Sequence, residues 1–153
     1  ISEKLIIQTS QLINRTLKKD FGIANPKIAI TGLNPHSGDK GLLGNEEKKT
    51  IIPAIKKCKT KKIRIYGPIS ADSAFIKSNL QHYDAFLCMY HDQALIAAKV
   101  IDFENTVNYT AGLSFVRTSP DHGTGYEIAR KFIANESSLI SAINTSILIS
   151  NNK

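Results

Sequence analysis

Three histidines share a context that suits chemistry. His36 follows the apolar run KIAITGL, in NPHSG; His91 follows DAFLCMY, in YHDQ; His122 follows LSFVRT, in PDHGTG. In open α/β sheets, ligands bind outside the carboxyl ends of the strands. Three imidazoles at such ends are candidates for one cluster. Neutral imidazoles with a nearby carboxylate bind Zn²⁺ or a similar divalent ion. A single imidazole poised near neutral pH could instead act as a general base. The plainer reading is that each histidine caps its own loop, and no HExxH or CxxC motif decides between them. His82, in a polar stretch before a strand, reads as a surface residue.

Asp72 and Asp92 are the carboxylates that could serve such a site, as ligands or as partners that orient a ligand. Either could equally be an ordinary helix cap. Lys99, Asn108 and Arg117 are polar residues inside or beside apolar segments, where a charge is costly unless paired or facing a cleft. Arg117 at a strand end suits bidentate binding of a carboxylate or phosphate, or a structural ion pair. The loop NPHSGDKGLLGNEE carries Gly38, Gly41 and Gly44 before a helix. A glycine-rich loop of this kind can hold an anion at the helix N-terminus, although its spacing is not GxGxxG.

The elements that must position these residues alternate along the chain. Residues 2–20 read as an amphipathic helix with Leu5, Ile6, Ile13 and Leu17 on one face. Strands are expected at 27–33, 62–67, 84–90, 106–110 and 113–118. Helices are expected from Glu46 to about Lys59, from Ser70 toward Leu80, over HDQALIAAKV, over 126–134 and over 138–150. Pro53 should kink the second helix or delay its start. The helix after His91 carries Lys99 about two turns further on. The alternation argues for a layered α/β domain. The closely spaced strands at 106–118 suggest a mixed rather than purely parallel sheet.

Composition narrows the function classes. The 153 residues suffice for one domain with a real core. No apolar run approaches the length needed to span a bilayer, and ISEKLIIQTSQL is not a signal peptide. The net charge is +7, but the basic residues concentrate in EEKKTIIPAIKKCKTKKIR, which reads as a solvated helix face. No nucleic-acid recognition motif accompanies them, so neither a nucleic-acid nor a membrane partner is expected. Cys58 and Cys88 fit no metal-ligand spacing. Cys88, within an apolar run, reads as a core residue. Reduced thiols point to the cytoplasm.

The motifs GLNPHSGDKGLLGNEE, IIPAI, GPISADSAF, MYHDQALIAAK and VNYTAGLSFVRTSPDHGTGYEIA occur in this order. They resemble the C-terminal half of the 4-hydroxythreonine-4-phosphate dehydrogenase (PdxA) family, from about Ile28 onward. The resemblance implies a three-layer α/β/α fold like that of isocitrate and isopropylmalate dehydrogenases. This chain would be a single α/β unit, about half of a longer two-domain enzyme. It also implies NAD-dependent oxidation and decarboxylation of 4-phosphooxy-L-threonine to 3-amino-2-oxopropyl phosphate, in pyridoxal 5′-phosphate biosynthesis. A divalent metal (Zn, Mg or Co) would sit at a homodimer interface.

By the same resemblance, His36 and His91 are metal ligands, and Lys99, Asn108 and Arg117 bind substrate. Asp72 lies close to both as the candidate catalytic carboxylate. His122 belongs to a family motif without being a ligand, which reduces the cluster of three to two. The residues that hold NAD are not identified. The remaining metal histidine and a His-Thr substrate pair are expected upstream of Ile1, so the fragment alone is expected to be inactive. The alternatives are a related metal-dependent dehydrogenase acting on another phosphorylated hydroxy acid, or a non-catalytic metal- or metabolite-binding fragment.

Overall fold

The computed structural model describes residues 1–152. Contacts divide the chain into two compact units, Ile1–Ala97 and Ala98–Lys153. The sequence reads as one unit with a mixed sheet. In the structure the parallel and antiparallel strands form separate sheets, because the last two strands pair with each other. Among the described residues, no helix is long and apolar enough to cross a membrane.

The first unit begins with helix α1 (Glu3–Lys19), capped by Ser2, whose hydroxyl accepts from the Leu5 amide at 3.2 Å. Lysines 18 and 19 end it, where the helix dipole favours positive charge. Strand β1 (Lys27–Thr31) follows. A turn of π-helix at Glu47–Ile51 leads into α2 (Ile52–Thr60), with Pro53 in its first turn. Proline lacks the N–H for an interior helical bond and crowds the carbonyl four residues back. The wider π turn before it relieves both constraints, so the α-helix starts late, as the sequence suggests. Strand β2 (Arg64–Ile69), a short 3-10 turn (Ala71–Ser73) and α3 (Lys77–His82) come next. Strand β3 (Ala85–Leu87) then leads into α4 (His91–Asp102).

The three strands form a parallel sheet in the order β2-β1-β3. Side chains alternate across a strand. Ile28 and Ile30 of β1 therefore join Ile65 of β2 on one face, packed by Ile6 of α1 and by Ile51, Ala54, Ile55 and Cys58 around α2. Ile28, Ile30, Ile51, Ala54 and Cys58 are fully excluded from solvent. Each buried isoleucine contributes about 1.5–3 kcal/mol by leaving water. Leu5, expected on the buried face of α1, is 55% exposed, and Ile7 packs on the core instead. Cys58 rather than Cys88 is the deeply buried thiol; burial raises the pKa of both.

The second unit contains an antiparallel pair, β4 (Val107–Tyr109) and β5 (Thr118–Pro120), and helix α5 (Ser137–Asn152). The strand expected at 113–118 is displaced. Residues 113–117 are a loop, and only Thr118 onward pairs with β4. The helix expected over 126–134 reduces to one 3-10 turn, Tyr126–Ile128. Gly125, Arg130 and Phe132 have positive φ, which no right-handed helix tolerates.

Candidate active site

Parallel strands deliver their carboxyl ends to one edge of the sheet. Ile69 of β2 pairs with Thr31 of β1, and Leu87 of β3 with Ile30. The segments leaving these three tips carry Asp72, His36 and His91 respectively. All three are on the surface rather than in the core.

His36 lies in an unusual backbone. His36, Ser37, Gly38, Asp39 and Lys40 all have φ between 37° and 81°, a left-handed turn. Each non-glycine residue there costs about 1–2 kcal/mol. Glu47 holds the turn from behind. Glu47 is only 2% exposed, and its carboxylate accepts from the amides of Leu33 and Asn34, each at 2.8 Å, and from the Asn34 side chain at 2.9 Å. Burial pushes the Glu47 carboxyl up, but the Asn34 and Leu33 donors outweigh it and hold it below its ordinary value. Gly38 is required on two counts: its φ is +81°, and a Cβ would lie 2.6 Å from a Glu47 carboxylate oxygen. The amides at 33 and 34 thus serve an internal carboxylate. Sequence reasoning missed Glu47, which sits in an EEKK run that looks solvated.

The His36 Nδ1 is 3.8 Å from Asp72 Oδ2, with side chains 72% and 65% exposed. The Ser70 hydroxyl beside Asp72 lowers its carboxyl pKa; burial opposes this, and the His36 ring adds to the lowering. Asp72 is therefore an ionised carboxylate at neutral pH, facing an imidazole from the neighbouring strand tip.

His91 opens α4, and its Nδ1 is 2.8 Å from Asp92 Oδ1. A carboxylate at Nδ1 selects the Nδ1–H tautomer and leaves the Nε2 lone pair pointing outward. This arrangement suits a metal-ligating histidine. Asp92 stands where it can orient the His91 ring. Among the described residues no three His, Cys, Asp or Glu side chains converge to hold a metal ion. The donor chemistry present is two exposed imidazoles on adjacent strand tips, each beside a carboxylate, and it fits part of the nitrogen and oxygen set of a divalent ion.

The second unit holds the other predicted residues. Lys99 donates to the Asp121 carbonyl at 2.9 Å and lies 3.6 Å from its carboxylate and 5.4 Å from the Phe103 ring centroid. Arg117 donates to the Thr110 hydroxyl at 2.7 Å, and the Thr110 amide returns a bond to the Arg117 carbonyl at 3.0 Å. Arg117 precedes its strand rather than ending one. Asn108, exposed on β4, is opposite Ser119. His122 belongs to this unit, with Nδ1 2.9 Å from the Gly123 carbonyl.

Known proteins resemble nearly the whole of this chain. The chain is 50% identical over 149 residues to a 4-hydroxythreonine-4-phosphate dehydrogenase of Sulfurihydrogenibium sp., covering 97% of this chain and 46% of the relative. It is 49% identical to the same-named enzyme of Bacteroides thetaiotaomicron, covering 100% of this chain and 42% of that protein. The 4-hydroxythreonine-4-phosphate dehydrogenase structure from Klebsiella pneumoniae superposes with a TM-score of 0.84 at 36% identity, over 97% of this chain and 45% of that one. A terephthalate 1,2-cis-dihydrodioldehydrogenase from Burkholderia xenovorans follows with a TM-score of 0.74 at 26% identity, over 99% of this chain and 47% of that one. The chain thus spans about half the length of the curated relatives it matches. The family model for the pyridoxal phosphate biosynthetic protein PdxA matches residues 1–146, and the chain belongs to that family.

Proposed function

We propose that these residues serve an NAD-dependent, divalent-metal-dependent dehydrogenase. It oxidises 4-phosphooxy-L-threonine and releases CO₂ to give 3-amino-2-oxopropyl phosphate, a step of vitamin B6 biosynthesis. The observation that carries the reading is the shared sheet edge, where adjacent strand tips bear His36 and His91 and the next bears Asp72. When bound, the metal supplies Lewis-acid polarisation of the substrate hydroxyl and NAD supplies the hydride acceptor. His36 and His91 hold the ion through ring nitrogens, His91 with its tautomer set by Asp92. Asp72 is the carboxylate assigned to the reaction, beside His36. Lys99 and Arg117 offset the negative charge of the phosphate and carboxylate, and Asn108 orients the substrate by hydrogen bonding. We assign the enzyme to the cytoplasm, as a homodimer with the metal at the dimer interface. In this reading the chain is the C-terminal half of a longer two-domain enzyme.

The likeness to a dihydrodiol dehydrogenase supports a second reading, a related dehydrogenase with another substrate. The higher identities favour the first. A panel of phosphorylated hydroxy acids and aromatic diols separates the two by NADH formation. In the full-length protein, His91→Ala should lose the bound divalent ion and about 100-fold or more of turnover, since even partners of metal ligands are worth about 10–100-fold. Unchanged metal content and NADH formation would refute the site.

A further inference from the structure

We propose that Gln93 is a positioning residue that locks the two histidine-bearing strand tips to each other, and that the spacing of His36 and His91 for a divalent ion depends on it. The proposal rests on the metal reading above. The ladder between β1 and β3 ends at the pair Ile30 and Leu87. Past that point the chains run on to His36 and His91 without a ladder bond between them. Gln93, half-buried in the first turn of α4, continues the connection. Its Oε1 accepts from the Thr31 hydroxyl at 2.8 Å and from the Met89 amide at 2.9 Å. Its Nε2 donates to the Gly32 carbonyl at 2.8 Å. Thr31 and Gly32 begin the path to His36, and Met89 is two residues before His91.

The chemistry explains why this residue is an amide. The Met89 N–H can only donate and the Gly32 carbonyl can only accept, so the orientation of the side chain is fixed by its backbone partners. One planar group must offer an acceptor and a donor at once, and glutamine does. A glutamate lacks the donor and sets its charge against the Gly32 carbonyl. A methionine of similar length replaces none of the three hydrogen bonds. Loss of the clamp leaves the Met89 amide and the Gly32 carbonyl without this partner, leaves the Thr31 hydroxyl its longer 3.5 Å bond to the Leu87 carbonyl, and uncouples two loops whose histidines belong to one site. Small errors in ligand placement weaken metal sites strongly.

The test uses Co²⁺ as the probe in the full-length protein, with Gln93→Met and Gln93→Glu. Affinity is read by titration, ligand geometry from the visible absorption bands of bound Co²⁺, and fold from far-UV circular dichroism. The expected result is native dichroism with Co²⁺ binding weakened about 10-fold or more and altered bands in Gln93→Met. Gln93→Glu, which keeps the acceptor, should fall between that variant and wild type. A purely structural role would lower the melting midpoint and leave the bands of the folded protein unchanged; that result, or wild-type affinity in both variants, overturns the proposal while the metal reading stands. A wild-type protein that takes up no Co²⁺ overturns both. If Gln93→Met does not fold, Gln93→Glu is judged by the same affinity and spectrum.

Discussion

The two units of this chain hold their polar residues by different means. In Ile1–Ala97 the surface histidines ride on a sheet whose central strand is buried from its second residue on, with Ile28, Ala29, Ile30 and Thr31 all excluded from solvent. Among the described residues from Ala98 onward, only Ser138, Ala142 and Ile149 are buried. There Phe132 is 99% exposed and Val100 82%, and Lys99 and Arg117 are held by bonds to nearby loops. The lesson is that the strand tips bearing the imidazoles are set by packing of the sheet core, and the cationic groups by individual hydrogen bonds to Asp121 and Thr110. Geometry should therefore be robust in the first unit only while its core stays intact. In the second, stability and side-chain placement should respond little to single apolar changes.

Substitution can break or sharpen this contrast. The largest effect is expected from Ile30→Ala, which empties a fully packed position and should cost about 2–5 kcal/mol in urea unfolding of the 153-residue chain. A loss below about 1 kcal/mol would mean that the sheet is not the stable part. Next comes Glu47→Gln, which keeps an acceptor but gives up charge-assisted bonds to the loop carrying His36, at about 1–3 kcal/mol. Its pH dependence is the sharper readout. The Glu47 pKa is lowered in the folded state, so its contribution is complete above the unfolded value and fades as pH falls through the folded one. Urea midpoints measured from about pH 7 to about pH 3 should therefore fall less steeply in Glu47→Gln than in wild type. The smallest effect belongs to Ile147→Ala. At 54% exposure it should change the stability of this chain by no more than about 0.5 kcal/mol. A cost equal to that of Ile30→Ala would erase the difference between the units.

How much was legible in the sequence follows the same division. The strand-end rule anticipated that His36 and His91 leave one sheet edge, because parallel strands all finish there and an apolar run followed by a polar turn marks that finish. Asp72 was legible as a carboxylate near a helix start, but its proximity to His36 depends on β2 lying beside β1, which no local pattern states. Glu47 and Gln93 escaped because their work is tertiary. Each looks solvated in sequence, and each reaches segments far from it along the chain. In the second unit the periodicity of YEIARKFIA imitates a helix, yet positive φ at Arg130 and Phe132 breaks it. LSFVRT likewise carries strand-forming residues, but the register of β4 with β5 leaves its first part unpaired. Alternating elements imply a shared sheet, whereas β4 and β5 pair with each other in a sheet of their own.

The turn from His36 to Lys40 has a consequence for anyone building this protein by synthesis. At Ser37 and Lys40 the encoded residue is of the wrong hand for the backbone it occupies. A mirror-image serine or lysine would sit there at ease, so a chain containing D-residues at those two places should be more stable than the one the ribosome makes.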